Sequence, residues 1–167
     1  MAATSVKRIG YGQVEPNHLS GIVTGQIYAQ LPAKTTSTAI SQLEQGQFVK
    51  YDYATGEVNF TGDGEFMLVY NEEKLYDERH QMHKDFVYKP GDFADAKMYP
   101  RLIKTNIGDI FTTNMIADAS VKLKDVLSPR AADGILSTSG DGSMKWQVVK
   151  VYTMPDHQPG VKLMRIE

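Results

Sequence analysis

The chain has no cysteine in its 167 residues. That absence excludes a disulfide framework, a thiolate zinc site and a cysteine nucleophile. It leaves the compartment open, because secreted proteins also occur without cysteine. One-sided charge is missing too: 18 basic and 20 acidic residues give a net charge of −2. A binder of duplex DNA shows a basic excess or a basic stripe. Here the densest basic stretch, Lys122 to Lys124, is followed at once by Asp125. No apolar run approaches the length of a membrane span, and the start of the chain, MAATSVKR, lacks the hydrophobic segment of a signal peptide. The expectation is a soluble protein made in the cytoplasm, with neither nucleic acid nor membrane as partner. Also absent are a glycine-rich phosphate loop and a G-x-S-x-G nucleophile elbow.

What is present is a succession of short Val, Ile, Thr and Tyr runs separated by tight-turn signals. The clearest is Lys145 to Thr153, KWQVVKVYT, preceded by the hairpin-type turn Ser139-Gly140-Asp141-Gly142-Ser143. Further strands are predicted at 46–53, 58–60, 65–70, 86–88, 99–105, 110–114 and 135–138. A final hairpin is predicted around Met154 to Gly160, returning along Val161 to Ile166. Ile40 to Leu43 reads as a short helical turn, Ser120 to Val126 as a strand or a brief helix, and Asn71 to Asp85 as a helix or an exposed loop. Eight or more strands at this spacing predict an all-β protein, a compact antiparallel barrel or sandwich. A length of 167 residues fits one domain, or one domain with an arm.

Residues 1–37 differ in composition from 38–167. Gly10, Gly12, Pro16, Gly21, Gly25 and Pro32 break any long helix. Yet Tyr11, Leu19, Ile22, Val23, Ile27, Tyr28 and Leu31 are more than a disordered tail normally carries. The segment therefore reads as an extended N-terminal arm attached to a β-domain at 38–167, with those seven residues as partner-binding candidates.

Candidate chemistry is sparse. His80 and His83, with Asp77 or Asp85, offer an H-x-x-H ligand set. Metalloprotease pairs stand four apart around a glutamate, and a solvated polar segment accounts for the pattern more simply. The two G-D-G units, at Asp63 and Asp141, lack the ladder of acidic ligands of a calcium loop and read as turns. Glu72 and Glu73 are adjacent, so on a strand they point to opposite faces and make a poor catalytic pair. Phe48, Tyr51, Tyr53, Phe60, Phe66 and Tyr70 lie on successive predicted strands. A base-stacking barrel would interleave basic residues with such rings. Here Asp52, Glu57, Asp63 and Glu65 surround Lys50, so core packing is the better reading. Neither a metal nor a cofactor is expected, and no enzymatic activity.

Three stretches, GYGQVEPNHLSGIVTGQIYAQLPA, LEQGQFVKYDYATGEV and YPRLIKTNIGDIFTTN, resemble small structural proteins of tailed bacteriophages, more specifically capsid decoration (auxiliary head) proteins. The resemblance implies an extended arm on a compact β-domain, without catalytic residues. It implies a virion component that binds the outer capsid surface, with the major capsid protein and neighbouring copies of itself as partners. A head–tail connector or tail component is the alternative within that class, and a small metal-dependent hydrolase using His80, His83 and Asp85 is the alternative from another class. Under this reading, removing residues 1–31 would leave the β-domain folded and abolish capsid binding.

Overall fold

The computed structural model describes residues 4–8, 10–35, 39–70, 87–88, 97–155 and 157–167. In chain order the first elements are β1 (Thr4–Ser5), β2 (Val14–His18), a single helical turn α1 (Ser20–Val23), β3 (Ile27–Tyr28), β4 (Leu43–Glu44), β5 (Phe48–Asp52) and β6 (Glu57–Asn59). There follow β7 (Met67–Val69), β8 (Val87–Tyr88), β9 (Leu102–Ile103), β10 (Ile110–Thr113), β11 (Ser120–Val121) and β12 (Val126–Pro129). The chain closes with β13 (Leu136–Ser137), β14 (Trp146–Thr153) and β15 (Pro159–Arg165). A six-stranded sheet has the order β13-β12-β14-β15-β10-β2, and a five-stranded sheet the order β3-β9-β7-β5-β6. Two small ribbons, β1-β11 and β4-β8, complete the described structure. Every strand pairing is antiparallel. The all-β expectation holds, in its sandwich form.

Period-two alternation decides which residues go where. On the five-stranded sheet Phe48, Leu68 and Ile103 face the six-stranded sheet, where they join Phe111, Leu127, Trp146, Val148, Val161 and Leu163 in one buried cluster. Phe48, Phe111 and Trp146 form its centre, with ring centroids 4.8 Å apart for Phe111–Trp146 and 5.8 Å for Phe48–Trp146. Each such ring contributes roughly 1.5 to 3 kcal/mol by burial. The intervening residues Val49, Tyr51, Met67, Val69 and Leu102 point the other way, into a second cluster. That cluster is roofed by Ala33, Ile40, Leu43 and Met98, with Tyr28 and Leu31 packed against it. Both faces of the five-stranded sheet are therefore buried. Of the six aromatic residues expected to pack, Phe48, Tyr51 and Phe66 lie in these cores and Phe60 and Tyr70 pack against them, whereas Tyr53 is 76% exposed and does not belong to either.

Backbone crowding explains one glycine in particular. Gly134 has φ +67°, and a Cβ there would lie 1.9 Å from the Phe48 carbonyl oxygen. Its own carbonyl accepts the Phe48 amide at 2.8 Å. The loop after β12 thus abuts β5 in direct main-chain contact.

The N-terminal segment does not stand off as an arm, and the expected division at residue 37 is not seen. β1 pairs with β11, β2 with β10 and β3 with β9, so this stretch supplies an edge strand to each large sheet. Val6 and Leu19 are core residues, 1% and 3% exposed. Buried polar side chains fasten the backbone between them. Glu44 accepts the Gly12 amide at 2.7 Å and pairs with Arg8 at 2.5 Å. Asn114, fully buried, accepts the Gln13 amide at 2.7 Å and donates to the Tyr11 carbonyl at 3.1 Å. The Thr113 hydroxyl donates to the Gln13 carbonyl at 2.6 Å. A glycine- and proline-broken segment cannot satisfy its own backbone, so these groups do so from the β-domain.

Two local expectations also change. Ile40 to Leu43 is not helical; Leu43 opens β4 and the preceding residues run irregularly. Ser120 to Val126 resolves into β11, a turn and the start of β12.

Candidate docking surface

The most exposed large apolar side chains of the N-terminal segment lie on α1, which is held from both ends. Asp109, 2% exposed, accepts the Ser20 amide through Oδ1 at 3.0 Å and the Asn106 amide through Oδ2 at 2.9 Å. Asn106 Nδ2 donates to Ser20 Oγ at 2.7 Å. One buried carboxylate thus ties the start of α1 to the 106–109 turn. At the other end Gln26 donates to the Gly21 carbonyl (2.7 Å) and Gly25 to that of Ile22 (3.3 Å), with Gly25 at φ +73°. This is the six-to-one, five-to-two closure of a Schellman motif. Gly21 lies so close to β9 that a Cβ would meet Ile103 Cγ2 and the Lys104 carbonyl oxygen, both at 2.6 Å.

The result is two turns joined by hydrogen bonds, each carrying exposed apolar side chains. Val23 is 80% exposed, Ile107 72% and Ile22 37%. Exposed apolar side chains on well-bonded turns are the candidate contact residues.

These turns adjoin β2 and β10 of the six-stranded sheet. On the outer face of that sheet, strand register sets Val126, Gln147, Met164, Ile110 and His18 in one row across five strands. The next row carries Lys150, Lys162, Thr112 and Glu15. Tyr152 lies beside it, its Oη 2.6 Å from Glu15 Oε2 and 3.0 Å from Thr112 Oγ1. Burial, together with the Glu15 carboxylate, raises the Tyr152 pKa above that of a free tyrosine. Lys150 and Lys162 approach the Tyr152 ring to 5.2 and 5.9 Å, within cation–π range.

Elsewhere the described residues also line concavities. A cleft of about 460 Å³ is bordered by Lys34, Ile40, Gln47, Asn59, Phe60 and Asp133. Its buried amides are already engaged: Gln47 Oε1 accepts the Glu44 amide and Gln47 Nε2 donates to the Asp133 carbonyl. Asn59 is held between Asp52 and the Thr61 amide. A smaller hollow of about 130 Å³ lies among Tyr28, Tyr51, Tyr53, Glu65 and Lys104, with edge-to-face ring contacts of 6.1 Å and 5.6 Å at Tyr51.

Of the seven predicted partner-binding residues, the structure leaves Ile22 and Val23 exposed. Leu19 belongs to the inter-sheet core, Ile27 packs against it, and Tyr28 and Leu31 pack on the second cluster. Tyr11 is half-buried, its carbonyl bound by Asn114. Of those five only Leu19 is fully buried; Tyr11, Ile27, Tyr28 and Leu31 are half-buried, because a segment paired to the sheet edges rests its side chains against the cores. Ile107 was not among the sequence candidates, although Asn106-Ile107-Gly108-Asp109 carries the signal of an isoleucine stranded in a turn. His80, His83, Asp77 and Asp85 lie outside the described residues. Among the described residues no three His, Asp or Glu side chains assemble as a metal site. The G-D-G unit at Asp141 is a turn: Asp141 Oδ1 accepts the Ser143 amide at 2.9 Å, and Gly142 has φ +76°. No described helix is long and apolar enough to cross a membrane. Comparison with protein-family models, curated proteins and solved structures finds no match to this chain.

Proposed function

We propose that this chain is a non-enzymatic structural protein of a virion, which binds the outer capsid surface and reinforces the head. The observation that carries the reading is the exposed apolar tip of Val23, Ile107 and Ile22 on hydrogen-bonded turns, joined to the resemblance of the sequence to capsid decoration proteins. A tip already fixed by Asp109 and the Schellman closure loses little conformational entropy on docking. Burying Val23 and Ile107 in a shell groove contributes roughly 1.5 to 3 kcal/mol each. Repetition on a lattice multiplies that modest single contact by avidity. Docking thus uses a preformed tip in place of a free arm that must first be ordered.

The test is co-sedimentation with purified shells. Val23→Asp combined with Ile107→Asp is expected to weaken binding at least tenfold while the thermal midpoint stays unchanged, because both side chains project from the surface. Unaltered binding by the double variant would refute the docking role of the tip. Copy number in virions separates positions on the particle. A number matching the shell lattice supports decoration, and a number matching a ring moves the protein to the neck or tail. Absence from the particle refutes the reading altogether.

A further inference from the structure

We propose that copies of this chain associate head to tail, the Lys150–Lys162 row of one copy receiving the acidic β5–β6 region of the next. The inference does not depend on capsid binding.

The first observation is a local conflict. Lys150 and Lys162 are direct cross-strand partners on β14 and β15. Like charges directly opposite one another destabilise a sheet. Neither ammonium forms an ion pair with a carboxylate among the described residues; both lean on the same Tyr152 ring. The one acidic group in their row, Glu15, is engaged by the Tyr152 hydroxyl at 2.6 Å. A pair of aligned cations on an open sheet face, held against repulsion, is a seat for carboxylates.

The second observation is where the chain keeps its own carboxylates. Residues 51–65 contain Asp52, Glu57, Asp63 and Glu65 and no Lys, Arg or His. Residues 145–165 contain Lys145, Lys150, Lys162 and Arg165 against Asp156 alone. Some of these charges are already neutralised within the chain: Glu65 pairs with Arg165 and Lys104, and Lys145 pairs with Glu167, while Lys50 of β5 lies over the Phe66 ring. Asp52, Glu57 and Asp63 on one side, and Lys150 and Lys162 on the other, have no ion pair among the described residues. The acidic stretch belongs to the five-stranded sheet and the basic row to the outer face of the six-stranded sheet, so they lie on different layers of the sandwich. Within the acidic stretch, Asp63 is exposed, Glu57 accepts the Thr35 amide and hydroxyl, and among the described residues neither has an ion-pair partner. Two complementary but different patches on one subunit make a heterologous contact, which propagates from copy to copy. Such a contact gives neighbouring copies a means of recognising one another on a repeating surface.

Sedimentation velocity of the isolated full chain tests this. At low salt, about 0.02 M, the sedimentation coefficient is expected to rise with concentration. At about 0.3 M salt the apparent dissociation constant is expected to weaken at least tenfold, since exposed charges are then screened. Lys150→Glu with Lys162→Glu, and separately Glu57→Lys with Asp63→Lys, are each expected to sediment as monomers. An equimolar mixture of the two double variants is expected to associate again, because reversed row meets reversed hairpin. Circular dichroism checks that both variants are folded, and Val23→Asp with Ile107→Asp is expected to leave association intact. Overturning results are a concentration-independent boundary for the unmodified chain at low salt, association that persists in either double variant, or a mixture no more associated than its components.

Discussion

Glu44 shows how a single buried carboxylate substitutes for secondary structure. Its side chain is 9% exposed and gathers Arg8 and the Gly12 amide onto β4. Removing it leaves the Gly12 amide and the Arg8 guanidinium without their acceptor, and a stranded buried polar group costs more than the bond itself contributed. Arg8 keeps some solvent contact, which moderates the penalty. Glu44→Ala is therefore expected to lower unfolding free energy by about 2 to 3 kcal/mol, measured as a shifted urea midpoint at constant slope. A change below about 0.5 kcal/mol would show that the anchor is incidental. Nothing local in the sequence singles out Glu44. It stands between Leu43 and Gln45 like any strand-edge glutamate, and its partners are 32 and 36 residues away.

At the level of elements, the N-terminal stretch is the instructive case. Its apolar residues were legible in the sequence, and so was its lack of long helix. Their destination was not. Leu19 and Ile27 look the same on paper as Ile22 and Val23, yet Leu19 fills the core with Ile27 packed against it, and the second two project from α1. The choice depends on which strands lie alongside, through pairings to β9, β10 and β11 made across the length of the chain. Deleting residues 1–31 therefore removes β1, β2 and β3 together with Leu19. It exposes unpaired edges on both large sheets, as well as the apolar faces those strands covered. The truncated chain is expected to lose its cooperative thermal transition and its near-ultraviolet circular dichroism. A sharp transition within a few degrees of the full chain would restore the separable arm that the composition predicts. By contrast β5, β10, β14 and β15 were readable directly. The first three are rich in β-branched and aromatic residues, and turn residues such as Gly108-Asp109, before β10, and Pro155 to Gly160, between β14 and β15, mark their limits.

At the scale of the molecule, the two-core arrangement places tyrosines where their ionisation opposes folding. Tyr51 is 3% exposed in the second cluster and its hydroxyl makes no hydrogen bond of good geometry. Burial raises its pKa above 10.0, offset in part by the nearby Gln30 backbone. Tyr152 is raised as well, again chiefly by burial. A raised tyrosine pKa means that the folded state prefers the protonated phenol. The associated stability is complete below pH 10 and is lost as pH climbs through the folded-state values. Alkaline titration of phenolate absorbance is expected to show a late rise that disappears in part in Tyr51→Phe. The urea midpoint is expected to fall over the same interval. A single step complete in the range of free tyrosine would contradict the burial of Tyr51.

Two kinds of physics divide the credit for this fold. Alternation, turn chemistry and composition act within a few residues, so the all-β class, the C-terminal hairpin and the absence of thiol chemistry could be read along the chain. Strand order, the pairing of β1, β2 and β3, and the exposure of Val23 and Ile107 come from contacts between residues tens of positions apart. Hydrophobic burial is non-directional and sets only how much apolar surface leaves water. Which isoleucine is buried is decided by the buried polar groups, Asp109, Asn114 and Glu44, that accept backbone amides from a distant segment and so hold it in register.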